Sequence, residues 1–97
     1  MRTLLKAQLA TDTSDTAPIS VRFERIRPLL ESLKPEAMYF YPENGVRTML
    51  IIFDMKSPAD IPTIAEPLFR GGARIELTPV MNLEDVQAGI KRAEAGV

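Results

Sequence analysis

An α+β fold built on one four-stranded antiparallel sheet is predicted by three observations. The stretch Val46 to Met55, VRTMLIIFDM, is the longest run of β-branched and aromatic residues, and both of its faces are apolar in the middle. Leu50 and Ile52 lie on one face, and Met49, Ile51 and Phe53 on the other, which marks a strand covered on both sides. Three other segments alternate with period two, and the segments between them repeat apolar residues every three or four positions. The resulting order is strand, helix, strand, strand, helix, strand, helix.

Arg2 to Leu9 alternates, with Thr3, Leu5, Ala7 and Leu9 on one side and Leu4, Lys6 and Gln8 on the other, so a first strand with one face in the core is expected. Thr11 to Pro18 is a cluster of turn formers and reads as a loop. Ile19, Phe23, Ile26, Leu30 and Leu33 form the stripe of an amphipathic helix over Ile19 to Leu33, which Pro28 should kink or break. Lys34-Pro35 ends it, the residue before proline favouring extended backbone.

Glu36 to Tyr41 is the second expected strand, with Ala37, Tyr39 and Tyr41 opposed to Met38 and Phe40. Pro42-Glu43-Asn44-Gly45 supplies the turn into Val46 to Met55, and its Asn-Gly is a strong hairpin signal. Ser57, Pro58 and Asp60 form a capping arrangement for a second helix whose buried stripe is Ile61, Ile64, Ala65 and Leu68. Pro62 and Pro67 predict that this helix is short or bent, and Gly71-Gly72 closes it. Ala73 to Val80 gives the fourth strand, with Arg74, Glu76 and Thr78 on one face. Asn82 caps a last helix, with Asp85 at its third position and Leu83, Val86, Ile90 and Ala93 facing inward; fraying is expected from Glu94 to Val97.

Two strand–helix–strand units around a hairpin, with right-handed crossovers, form the split βαβ or ferredoxin-like βαββαβ arrangement, here with an extra C-terminal helix. Its central strands are the first and third, in agreement with the two-faced apolarity of Val46 to Met55. The two main helices cover one face only. The other face, with a central strand this apolar, makes a patch that soluble monomers rarely expose, so a homodimer through the sheet is expected.

With 97 residues the chain has room for one domain, residues 1–97. Its 12 basic and 13 acidic residues give a net charge of −1, a balance that favours neither nucleic acid nor an anionic membrane. Only Arg22, Arg25 and Arg27 cluster, either as a solvated helix face or as a phosphate site. The chain has no cysteine and no histidine. That excludes thiolate nucleophiles, histidine-based triads and the usual transition-metal ligands, and carboxylates are too dispersed for a metal site. No cofactor is expected. No segment reaches the ~20 apolar residues of a membrane span, and a cytoplasmic location is the simplest expectation.

The segments LKPEAMYF (33–40), GVRT (45–48), DIPTIAEPLF (60–69) and IELTPVMNLEDVQAGI (75–90) resemble a family of small uncharacterised bacterial proteins of about this length. More broadly the chain resembles the dimeric α/β-barrel superfamily, which includes muconolactone isomerase-like proteins, antibiotic-biosynthesis monooxygenases and stress-responsive barrel proteins. The resemblance implies two ferredoxin-like units with sheets packed face to face, and a small-molecule cleft between sheet and helices. It implies no active-site residues: members of that class rely on His, Trp or Asn, whereas this chain has no His or Trp and its Asn residues fall in a turn and a cap.

Candidate chemistry is therefore sparse. Lys6 and Glu76 are candidate catalytic residues because adjacent strands would set an ammonium beside a carboxylate; the bland alternative is a register-fixing ion pair. Tyr39 completes the candidate catalytic set, and Gln8, Tyr41 and Thr78 are candidate ligand-binding residues on the same face, with plain packing of the tyrosines as the alternative. Asp54 is either a general base or a partner for loop amides, and Arg47 reads as solvent-facing. The functional expectation is a homodimer that binds a small apolar or aromatic molecule or serves a structural role. A cofactor-free isomerase or monooxygenase is the alternative, which requires an enclosed cleft where at least two of Lys6, Tyr39 and Glu76 converge.

Overall fold

The computed structural model describes residues 1–11 and 14–96. The loop expectation for Asp12 and Thr13, and the fraying expectation for Val97, lie outside the described residues. Four strands, β1 (Arg2–Gln8), β2 (Ala37–Glu43), β3 (Val46–Asp54) and β4 (Arg74–Pro79), form one antiparallel sheet in the order β2-β3-β1-β4. Helices α1 (Ile19–Ser32) and α2 (Ile61–Arg70) cover one face, and α3 (Leu83–Ala95) follows β4. The expected α+β, ferredoxin-like order is present, with β3 and β1 at the centre.

Register fixes which side chains share a face. Leu5 opposes Ile51 and Leu77, while Lys6 opposes Leu50 and Glu76. Thr3, Leu5 and Ala7 are buried and alternate with half-exposed neighbours, the signature of a strand with one face in the core. The core is Leu5, Leu30, Met49, Ile51, Phe53, Ile64 and Leu68, lying between the sheet and α1 and α2. The opposite face, with Leu4, Ala37, Leu50 and Ile52 half-exposed, is not covered by any helix among the described residues.

Several expectations are corrected. β2 runs through Pro42 to Glu43. β2 is an edge strand, where a missing N–H costs no ladder bond, so Pro42 does not end it. The turn shrinks to Asn44 and Gly45, both with positive φ (53° and 78°), as a right-twisting two-residue hairpin requires. Pro28 does not break α1, which continues to Ser32. Lys34 is left-handed (φ 48°) rather than extended: its N–H closes the helix on the Glu31 carbonyl, and that termination outweighs the bias before proline. Ser57 and Asp60 make the expected capping box, but the first turn, Pro58–Asp60, is a tight 3₁₀ turn that runs into α2.

The largest correction concerns the helix stripes. In α1, Ile19 and Phe23 remain 66% and 40% exposed, and in α2 Ile61 is 36% exposed. In α3 no residue is buried, although Leu83, Val86, Ile90 and Ala93 form the expected stripe. The covered face of the sheet is already filled by α1 and α2. α3 leaves the end of the edge strand, held at its base by the Asn82–Asp85 capping box and by Arg2, whose guanidinium lies 3.4 Å from Asp85. The molecule is accordingly elongated, 57 × 29 × 18 Å.

Candidate functional site

At the hairpin end of the covered face, α1, α2 and the sheet enclose a cleft of about 900 Å³. The ring of Phe23 on α1 meets Phe40 on β2 edge to face, with centroids 6.0 Å apart. Ile19, Ile26, Met49 and Leu68 complete the apolar walls. Sequence periodicity explains the placement: Ile19, Phe23 and Ile26 share one side of α1, and Arg47 and Met49, two apart on β3, share its helix-facing side. Gly72 lets the chain close under the cleft, since its φ is 78° and a side-chain carbon there would lie 3.2 Å from that of Ala10.

Four guanidinium side chains line this cleft: Arg22 and Arg25 from α1, Arg47 from β3 and Arg70 from the last turn of α2. Among the described residues one carboxylate, Asp15, lines it with them. Asp15 accepts from the Ala17 amide (3.1 Å) and from Arg25 (2.8 Å). These bonds, with the charge of Arg22, hold its carboxyl below the usual range. Arg25 is thereby matched. Arg22 is not: its Nε is buried and has no hydrogen-bond partner among the described residues. Arg47 and Arg70, both exposed, make no ion pair among the described residues. The sequence cluster Arg22, Arg25 and Arg27 is divided, because Arg27 points along the outer face of α1 and bonds Glu24 (3.0 Å) and Glu31 (2.9 Å).

The reverse face of the same end of the sheet treats charge in the opposite way. Glu43 accepts from Lys6 (2.7 Å), Gln8 (2.9 Å) and the Tyr41 hydroxyl (3.0 Å), a network that spans β3 from β1 to β2. The Lys6 ammonium, then the Tyr41 hydroxyl, lower the Glu43 pKa; the bond to Glu43 raises that of Lys6; and desolvation, ahead of Glu43, raises that of Tyr41. Of the six residues singled out from sequence, Lys6, Gln8 and Tyr41 therefore converge, but on Glu43. Glu76 opposes Lys6 in register and contributes only its charge. Thr78 is exposed opposite Leu4, and Tyr39 is 61% exposed opposite Leu50. None of Lys6, Tyr39 and Glu76 lines the cleft.

Glu43 escaped sequence reading because it was placed in a turn; with β2 extended by two residues, its parity with Tyr39 and Tyr41 puts it on their face. Arg47 is exposed, as expected, but that it and Arg70 line the same cleft as Arg22 depends on packing between elements distant in sequence. Asp54 is held down to about 2 by hydrogen bonds from Lys56 and from the amine of Met1, which makes it a poor general base near neutral pH. A smaller, open cavity of about 590 Å³ lies at that end of the sheet and is lined by Arg2, bonded to Glu36 (3.0 Å) and Asp85. No group of three or more metal-ligating side chains occurs among the described residues, and none of their helices is long and apolar enough to cross a membrane.

Neither a scan of family models nor a search of curated proteins finds a match. Among solved structures, a formyltetrahydrofolate deformylase from Pseudomonas putida KT2440 is similar, with a TM-score of 0.55 and 14% sequence identity. The likeness covers 82% of this chain and 29% of that one. At such identity it is a likeness of fold: the chain is a small α+β unit of ferredoxin-like arrangement, similar to part of a longer enzyme.

Proposed function

We propose that the chain is a small-molecule-binding protein that works as a homodimer, its ligand held in the cleft between α1, α2 and the sheet. The observation that carries the reading is the cleft itself. About 900 Å³ of concave space with aromatic and aliphatic walls is the size and character of a small-ligand site. The dimeric α/β-barrel resemblance supports the same location.

Two uncovered apolar surfaces support the dimer. The open sheet face measures about 19 by 20 Å, so two such faces against each other would bury only about 800 Å². That falls short of the ~1,200 Å² at which stable interfaces begin. The 13 residues of α3 extend about 20 Å and carry an unpartnered stripe of Leu83, Val86 and Ile90. Laid along the partner, that stripe from each copy supplies about the missing area.

Titration of 2-naphthoate into protein labelled at the methionine methyls tests the ligand reading. Met49, 1% exposed and lining the cleft, is expected to shift, while Met81, 69% exposed beyond β4, stays still. Shifts confined to Met81, or none at millimolar ligand, would overturn it.

A further inference from the structure

Resting on the cleft as the ligand site, we infer that its ligand is an anion: a molecule with an apolar body and a terminal carboxylate or phosphate, taken by Arg22 with help from Arg47 and Arg70. The walls and the charges of the cleft ask for different things. Phe23, Phe40 and Met49 accommodate a hydrocarbon or aromatic body. The guanidiniums donate most strongly to an anion, and the one lining carboxylate among the described residues, Asp15, is already engaged by Arg25 and the Ala17 amide.

The buried Nε of Arg22 is the sharpest sign. A buried donor without a partner is destabilising and uncommon in native proteins, and guanidinium donors are the costliest to leave unmade. A ligand oxyanion would complete it. The planar fork of arginine suits a carboxylate or phosphate oxygen pair, which a flexible lysine would not match. Arg47 enters from the start of β3 and Arg70 from the end of α2, so positive charge reaches the cleft from three separate elements. That arrangement differs from a solvated helix face, where charges are paired along one helix as Arg27 is with Glu24 and Glu31.

The inference is tested by calorimetric titration with 2-naphthoate, 2-naphthyl phosphate and the neutral 2-naphthamide on the wild-type chain and on Arg22→Met, with Arg70→Met as a second variant. At least one anion is expected to bind tenfold or more tightly than the amide, and the preference to be lost in Arg22→Met and weakened in Arg70→Met. The stronger of the two anions identifies the group. Salt should weaken the anions and leave the amide unchanged. Equal binding of all three would overturn the anion inference while leaving the cleft as a ligand site. No binding of any at millimolar concentration would overturn both. Circular dichroism of the variants confirms that each compared chain is folded, and if Arg22→Met is not, Arg70→Met alone decides.

Discussion

The two faces of the sheet at its hairpin end carry the same kinds of side chain and treat them differently. On the open face, Glu43 has three donors and every charge in the network has a partner. On the covered face, Arg22 lies in a cleft with apolar walls, its buried Nε without a hydrogen-bond partner among the described residues. A fully paired group is explained by the fold alone, whereas an unpaired buried one implies something that the fold does not contain. We read the open-face network as a structural clamp across three strands, and the contrast is what favours the covered-face cleft as the proposed binding site.

The contrast between faces can be broken first at neighbouring residues of β3. Ile51 is fully buried on the covered side, and Ile51→Ala should cost about 2–5 kcal/mol in denaturant unfolding, through lost transfer energy and the cavity left behind. Leu50 points to the open face and is half-exposed, so Leu50→Ala should cost about 1 kcal/mol in the isolated chain. If a second copy covers that face, the Leu50 cost grows with protein concentration while the Ile51 cost does not. Equal, concentration-independent losses at both would mean that the faces are less different than their burial suggests.

The helix caps sharpen the same point. Ser57 and Asn82 make equivalent capping boxes for α2 and α3. Ser57→Ala should lower global stability by about 1 kcal/mol, because α2 buries Ile64, Ala65 and Leu68 in the core. Asn82→Ala should fray α3 with little effect on global unfolding, since α3 buries nothing within the chain; amide exchange in α3 would report the fraying.

The smallest effect is expected from pH. Glu43 has a lowered pKa, so its contribution is complete above the unfolded carboxyl value and is lost as pH falls through the lower folded one. Lys6 and Tyr41 have raised pKa values, so theirs are complete below their unfolded values and are lost as pH rises through the folded ones. The network should therefore contribute a flat plateau from about pH 5 to about pH 10. Glu43→Gln should lower the plateau and remove the Glu43 part of the acid slope; an unchanged slope would show that the acid loss comes from elsewhere, Asp54 for instance, with its carboxyl near 2.

Much of this was legible in the sequence, for identifiable reasons. Period-two alternation in Arg2 to Gln8 and the two-faced apolarity of Val46 to Asp54 were enough to place the central strands, because local side-chain parity survives tertiary packing. Asn44-Gly45 marked the hairpin. Proline misled three times: Pro42 is tolerated on an edge strand, Pro28 inside α1, and Lys34 before Pro35 is left-handed and not extended. The stripe of Leu83, Val86 and Ile90 announced an amphipathic helix, but periodicity says that a face exists and not what covers it. The site was the least legible part. Arg22, Arg47 and Arg70 come from three elements, and nothing local to any of them signals that they line one cleft.

The most direct test of the contrast is thermal unfolding of Arg22→Met and Glu43→Gln without added ligand, at neutral pH. Removing the unpaired guanidinium should leave the midpoint unchanged or raise it, because a buried donor with no partner is eliminated, whereas removing the Glu43 charge should lower it. If Arg22→Met unfolds as early as Glu43→Gln or earlier, Arg22 belongs to the fold, and the cleft loses its claim to an anionic ligand.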